Sequence, residues 1–314
     1  MNYQIMATTD KPIIIQGETG TGKTFLAKKL HLMSLRKNQP FIQLNIASLN
    51  ENLFESELFG HKKGAFSGAY VEKVGFCEQA GKGTLFLDEI GELSLSLQVK
   101  LLTLLEEGWY YPVGGKEKKT FKGRLIFATN KNMEKMVEEG SFRRDLYYRL
   151  RFFSVELRPL RQENSLFKII FETIQSKQIE YGYSLNLTQD LINQLVSYDW
   201  PGNYRELIST IEYFYCLRKK QVTSQDAPHW LHGANTNKNY YNKHKGSYRS
   251  YIQEIEDFEQ HYFNILMEKT SGRINKAVAY SGLSKPTIIS KLKKYAINRK
   301  DFIEKEKVVK AHGF

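Results

Sequence analysis

Cysteine is nearly absent from this 314-residue chain: Cys77 and Cys216 are the only two, and neither has a partner at CxxC spacing. A disulfide framework is thereby excluded and thiol redox chemistry is not indicated, so both read as reduced core residues. No run of about 18 apolar residues occurs, and the first residues lack the charged-then-apolar layout of a secretion signal. No membrane span is expected, and a cytoplasmic location is. Internal repeats and low-complexity tracts are missing too, while a hydrophobic content of 41% fills ordinary globular cores in about two domains.

Acidic residues are scarce at one end. The formal net charge is +12, and residues 231–314 hold 16 Lys/Arg against 8 Asp/Glu. Between Thr270 and Lys300 there are eight basic residues and no acidic one. Displacing counterions from phosphates drives binding to a polyanion whatever its sequence. The stretch therefore reads as an electrostatic footprint for nucleic acid, with a solvated basic face as the plainer alternative.

Short apolar runs alternate with helical patterns through the first half. Pro12 to Gln16, Phe41 to Asn45, Thr84 to Asp88 and Arg124 to Thr129 read as buried strands, because a strand covered on both faces is apolar throughout. Their alternation with helices predicts an α/β fold with a parallel sheet. Helical periodicity dominates from about Leu160 to Leu217, with Leu166, Ile169, Ile170 and Ile174 on one face and Leu191, Leu195 and Val196 on another. A smaller helical domain is expected there. Leu231 to Ser250 is rich in Asn, Lys, Gly, Ser and Tyr without a sustained period and reads as a tether. Helical patterning restarts at Tyr251, through Ile252, Ile255, Phe258, Tyr262, Ile265 and Leu266, and continues to about Ile297.

Gly17-Glu18-Thr19-Gly20-Thr21-Gly22-Lys23-Thr24 fits GxxxxGK[ST], between a strand and the helically spaced Phe25, Leu26 and Leu30. The glycines let backbone N–H groups close around phosphates, Lys23 neutralises their oxygens, and Thr24 offers a hydroxyl to magnesium. Leu85-Phe-Leu-Asp-Glu89 ends an apolar strand in two carboxylates. Asp88 can hold the magnesium through water, and Glu89 can polarise an attacking water. Asn45 and Thr129-Asn130 close two other strands; their amides orient that water or sense the γ-phosphate, or simply cap strand ends.

Ser141-Phe-Arg-Arg-Asp-Leu-Tyr-Tyr-Arg149 is dense in arginine. Buried guanidinium is costly unless paired, so these side chains face an anion, such as nucleotide on an adjacent subunit, or form surface ion pairs with Glu138, Glu139 and Asp145. Between the two halves of the phosphate site lies Gly64-Ala-Phe-Ser-Gly-Ala69. Its glycines permit unusual backbone angles, and Phe66 offers a compact apolar contact on a loop tip, or else fills a Gly-rich bend.

Taken in order, these motifs resemble the AAA+ domain of NtrC-type bacterial enhancer-binding proteins, the activators of sigma-54 RNA polymerase. The resemblance covers Lys11 to Leu217 and extends to the C-terminus. Its marks are Glu57-Leu-Phe-Gly60, the Gly64 to Ala69 hexapeptide, Gly83-Thr-Leu-Phe-Leu-Asp-Glu-Ile-Gly91, the Phe142-Arg143 to Arg149 block, and Trp200-Pro-Gly-Asn-Tyr-Arg-Glu-Leu207. It implies an ATPase using ATP and Mg2+, with Lys23 and Thr24 as phosphate and magnesium ligands and Asp88 and Glu89 as the acid pair. It further implies Asn45 as the restraint on Glu89, Asn130 as a sensor, Arg143 and Arg149 as fingers acting in trans, and Arg205 as a second sensor in the lid.

The same resemblance implies that Gly64, Ala65, Phe66, Ser67, Gly68 and Ala69 contact sigma-54, and that Pro112-Val-Gly-Gly115 is a second surface loop. Assembly from dimer to hexameric ring is implied as well. Ser67 stands where the family usually has threonine. The chain begins about ten residues before its first strand, so neither the family's adenine-framing segment nor an N-terminal regulatory domain is expected. The run before the lid is shortened to Gln162-Glu-Asn164. The implied boundaries are 1–158 for the AAA+ α/β subdomain, 159–230 for the helical lid, 231–250 for the linker, 251–300 for a DNA-binding domain and 301–314 for a tail.

Arg273 to Tyr295 resembles a helix-turn-helix of the Fis type. Ala277 is small where two helices would cross, Gly282 allows the turn, Ser284 can cap the second helix and Pro286 is tolerated in its first turn. Lys285, Thr287, Ile289 and Ser290 are placed to face a DNA groove, Ile289 against a thymine methyl, with Lys291, Lys293 and Lys294 on phosphates. Ile288 and Leu292 are expected in the core, and the Tyr251 to Leu266 helix in a dimer contact. The implied function is an ATP-hydrolysing activator that binds enhancer DNA and remodels the closed complex of sigma-54 RNA polymerase. The alternative is a DNA-binding regulator whose nucleotide site controls oligomerisation only.

Overall fold

The computed structural model describes residues 3–232, 260, 262–281, 283–299 and 302. The chain divides into two compact units, Met1–Asn237 and Lys238–Phe314. In the first, five parallel strands form a sheet in the order β2-β3-β6-β1-β7. These are β1 (Ile13–Gln16), β2 (Phe41–Asn45), β3 (Thr84–Asp88), β6 (Arg124–Thr129) and β7 (Phe153–Glu156). The short β4 (Trp109–Tyr110) and β5 (Lys119–Thr120) pair separately as an antiparallel ribbon. The four strands expected from apolar runs are present, with the first starting at Ile13. The fifth, β7, has the pattern Phe-Ser-Val-Glu and lies at the sheet edge beside β1, where one polar face is tolerated.

Helices cover both faces, as parallel strands require. One core packs β3 and β6 against α3 (Glu51–Phe59), α5 (Leu95–Glu107) and α7 (Arg144–Leu150), using Phe54, Leu58, Leu97, Leu101, Leu146 and Leu150. The opposite core packs Ile13, Ile15, Phe86 and Ile126 against α2 (Lys23–Leu32) and α1 (Tyr3–Thr8). Helix α1 was not expected from the sequence. Its C-terminal carbonyls, Met6 O and Ala7 O, accept from the guanidinium of Arg124, which is only 1% exposed. Burial lowers the Arg124 pKa to about 10, so the cation persists at neutral pH where the helix end favours it. Short α4 (Phe76–Gln79) and α6 (Met133–Glu138) complete the layer.

The lid follows, built from α8 (Leu166–Tyr181), α9 (Gln189–Ser197), α10 (Asn203–Cys216) and α11 (His229–His232). Leu166, Ile170, Ile174, Leu191 and Leu195 meet in its core around Trp200, whose side chain is fully buried. Leu231 joins that core at 2% exposure, so the lid runs past the expected boundary at 230. Cys216 is exposed rather than buried, and Cys77 is the core cysteine that was expected.

In the second unit, residues 262–269 are helical, followed by Ile274–Ser281 and Lys285–Lys294. Phe263, Leu266, Met267, Ala277, Ile288 and Leu292 form its core. The Ser284 hydroxyl accepts from Thr287 N at the start of the Lys285–Lys294 helix. Gly282, residues 233–259 and residues 303–314 lie outside the described residues, and with them most of the expected linker, dimer helix and tail. No helix among the described residues is long and apolar enough to cross a membrane.

Candidate nucleotide site

The phosphate loop leaves β1 at Gln16 and enters α2 at Lys23. Gly17, Gly20 and Gly22 have φ of 153°, 80° and 94°, the last two in the left-handed region that glycine enters at little cost. Helix α2 carries no side-chain cap at its N-terminus, and a side chain at Gly22 would meet nothing within 4 Å. A ten-residue helix thus presents free amides and positive dipole to open space, the arrangement that suits phosphate. The Lys23 ammonium donates to Gly17 O at 2.9 Å and Glu18 O at 3.3 Å. Burial lowers its pKa, against the raising influence of Glu89 and Asp88.

The acid pair ends β3 one strand away from β1, with β6 between them. Glu89 adopts φ 58° and ψ 48°, a left-handed backbone that costs a non-glycine residue about 1 kcal/mol or more. Its carboxylate lies 4.0 Å from Lys23 Nζ and accepts from Asn130 N at 3.2 Å. The Asn130 side chain donates to Thr19 Oγ1 at 3.2 Å. Asn130 thereby joins the ends of β6 and β3 to the phosphate loop. Thr24 and Asp88 are both half-buried and offer the hydroxyl and carboxylate oxygens that Mg2+ prefers.

Other expected site residues are placed differently. Asn45 is paired in register with Asp88, but its side-chain oxygen accepts from Ala47 N at 2.9 Å. It caps a turn, and no Asn45–Glu89 bond occurs among the described contacts. Arg143 is half-buried and Arg149 exposed, and both are ion-paired, Arg143 to Asp145 as the plainer alternative anticipated, and Arg149 to Glu106 rather than to Glu138 or Glu139. Arg205 is exposed at the start of α10, and its Cβ would lie 3.3 Å from a side chain added at Gly20.

Three contributors escaped the sequence. Arg161 pairs with Glu18 through both outer guanidinium nitrogens. Asn203 bonds the loop from the lid. Gln98, fully buried on α5, accepts from Arg143 N at 2.8 Å and donates to Ser141 O, fixing the backbone of the arginine block.

The hexapeptide loop is organised by its own backbone. Gly64 and Gly68 have φ of 80° and 102°, Gly64 N donates to Ala69 O, and Ala69 N donates to Phe66 O. Phe66 is 43% exposed, its ring edge-on to His61 at 5.0 Å between centroids. The loop base is tied to the second loop by Lys62 N to Val113 O and Val113 N to Gly60 O. An added side chain at Gly114 would strike Ala65 at 2.8 Å.

Residues 1–156 match the family described as the Sigma-54 interaction domain, and residues 166–243 the AAA+ ATPase lid domain. The chain belongs to the AAA+ ATPases that carry a sigma-54 interaction domain. It is 43% identical to the Nif-specific regulatory protein of Azotobacter vinelandii over 70% of this chain and 41% of that one. It is 36% identical to the transcriptional regulatory protein ZraR of Salmonella typhimurium over 92% of this chain and 64% of that one. The chain thus spans between two fifths and two thirds of the length of these relatives. A crystal structure of NtrX from Brucella abortus in complex with ATP superposes with a TM-score of 0.66 at 27% identity, covering 94% of this chain and 66% of that one.

Proposed function

We propose that the chain binds ATP with Mg2+ at Gly17–Thr24, hydrolyses it, and uses the cycle to open the closed promoter complex of sigma-54 RNA polymerase. The observation that carries the reading is Phe66, an exposed aromatic on a loop whose base is bonded to a second loop within the same sheet-and-helix body as Lys23 and Glu89. Lys23 and the loop amides hold the phosphates, and Thr24 and Asp88 hold Mg2+. Bound there, the cation offsets charge on the β and γ oxygens. Glu89 accepts a proton from the attacking water while Asn130 N–H keeps its carboxylate aimed. Asn45 restrains Glu89 only after releasing Ala47 N–H.

Arg143 and Arg149 act in trans in a ring, each exchanging a surface acid for the neighbour's phosphates. Such arginines offset charge as the γ-phosphoryl transfers. The second unit holds enhancer DNA. Lys285, Thr287, Ile289, Ser290, Lys293 and Lys294 are exposed on its helix Lys285–Lys294, and a groove of about 1080 Å3 runs between Arg273, Lys276, Lys285, Lys293 and Arg299. Lys291 is half-buried on the same helix.

The test is open-complex formation on a sigma-54 promoter. Wild type opens it only with hydrolysable ATP, and Lys23→Ala does not open it. Opening without ATP would overturn the reading. Regulation in cells that survives both Lys23→Ala and Glu89→Ala would favour the nucleotide-gated oligomer instead.

A further inference from the structure

The turn Trp200-Pro-Gly-Asn203 contains two non-glycine residues in the left-handed region, Trp200 at φ 50° and Asn203 at φ 53°. Such conformations persist where the surroundings over-determine them, and they cluster at functional positions. Trp200 is anchored in the lid core, its indole donating to Leu195 O at 2.9 Å. Asn203, also fully buried, is fixed by what its amide joins. Its oxygen accepts from Leu160 N at 2.7 Å, where the chain passes from the sheet into the lid. Its nitrogen donates to Thr19 O at 2.9 Å and to Glu18 Oε2 at 3.3 Å in the phosphate loop.

Two further contacts act across the same junction. The Glu18 carboxylate is held by both outer nitrogens of Arg161, beside Leu160. At Gly20 the loop runs so close to the turn that an added Cβ would lie 2.1 Å from Gly202 O. Loop and lid are therefore in direct contact, and one side-chain amide of the lid bonds both the loop and the helical turn at Leu160 that leads from the sheet into the lid. Lys23 donates to the carbonyls of Gly17 and Glu18, so turning its ammonium toward phosphate oxygens loosens the stretch that Asn203 grips.

We propose that Asn203 is a positioning residue for ATP hydrolysis: its amide carries displacement of Glu18–Thr19 into the lid and so sets where Arg205, two residues on, meets the nucleotide. Glu18 and Arg161 brace the same joint. The inference rests on Arg205 being the second sensor in the lid, the role that the family resemblance implies for it. Asn suits the position because it tolerates the left-handed region and presents donor and acceptor on one short arm. Glycine keeps the backbone and loses both bonds; aspartate keeps the acceptor and loses the donor.

The experiment uses the full chain carrying Cys216→Ser, with spin labels at Lys37→Cys and Ile179→Cys, exposed positions on the sheet body and on α8. In the Asn203 wild type the distance distribution shifts on adding MgADP or a nonhydrolysable ATP analogue with Mg2+. Asn203→Gly and Asn203→Asp still bind both nucleotides, yet their distributions do not shift. Their kcat falls about tenfold, within the range for residues that transmit coupling, while KM for MgATP changes little. Because Asn203 acts through Arg205, adding Asn203→Gly to Arg205→Ala lowers kcat no further. A wild-type shift in both variants, or effects of Asn203→Gly and Arg205→Ala that multiply, would overturn the proposal. If Arg205→Ala retains wild-type kcat, the sensor reading fails, and the distance measurement still decides whether Asn203 joins loop to lid.

Discussion

The phosphate site and the hexapeptide loop are built on opposite plans within one body. Around Lys23, side chains bond across distant elements: Asn130 to Thr19 and Glu89, Arg161 to Glu18, Asn203 to Thr19 and Leu160. Around Phe66, the loop itself is held by backbone bonds and one aromatic edge to His61, with two backbone bonds to the second loop and the side-chain pairs His61–Ser56 and Lys62–Glu72 only at its base. Cross-linked polar groups hold catalytic geometry before substrate arrives, which lets electrostatics act without reorganisation. A loop held by its own backbone, with an exposed aromatic at its tip, can change partners at small cost. The chain therefore concentrates long-range side-chain bonds at the phosphate loop and leaves the hexapeptide loop to its own backbone.

The contrast can be broken from either side. Substituting Arg143 or Arg149 by alanine removes a group whose partners in the isolated chain are surface acids, so thermal stability stays unchanged. Ring-dependent ATP turnover should nevertheless fall by about 10³-fold, and equal turnover in ring preparations of variant and wild type would contradict the trans role. Glu89→Gln keeps shape and hydrogen-bonding size but removes the base. Turnover should drop by about 10²-fold or more, with MgATP binding, read by calorimetry, preserved.

Smaller effects sharpen it. Trp200→Ala empties the centre of the lid core and should cost about 3 kcal/mol in chemical denaturation, whereas Phe66→Ala, at a half-exposed tip, should leave the denaturation midpoint in place. The smallest effect is a pH dependence at Glu18. Its pKa is held below the usual 4.5, first by the Arg161 hydrogen bond. A depressed carboxylate stabilises the fold above its unfolded value, and that contribution is lost as pH falls through the folded value. Glu18→Gln should therefore be less stable than wild type at neutral pH, by less than about 1 kcal/mol for so solvated a pair. The two should converge as pH falls below 4.5 and through the depressed value. A gap that widens in acid would show the sign to be wrong.

Much of the fold was legible because buried parallel strands are continuous apolar runs: Phe41–Asn45, Thr84–Asp88 and Arg124–Thr129 have the boundaries read from sequence. Strand β7 was not, since its edge position admits Ser154 and Glu156, and α1 was not, since six residues carry too little period to register. At the site, loop and strand-end residues were visible by type and spacing. Partners were not. Asn203 meets Thr19 from 184 residues away, and Arg149 finds Glu106 from 43 away, pairings that no local spacing encodes. The expected Asn45–Glu89 bond gave way to a local one, because an amide at a strand end finds the N–H two residues on at lower entropic cost.

The most direct test of the account compares ATP turnover and promoter opening in one Phe66→Ala preparation. Turnover within about twofold of wild type, with open-complex formation on a sigma-54 promoter lost, is the predicted result, since truncation at an exposed tip away from the phosphate loop removes contact and not chemistry. Full promoter opening by Phe66→Ala would contradict it.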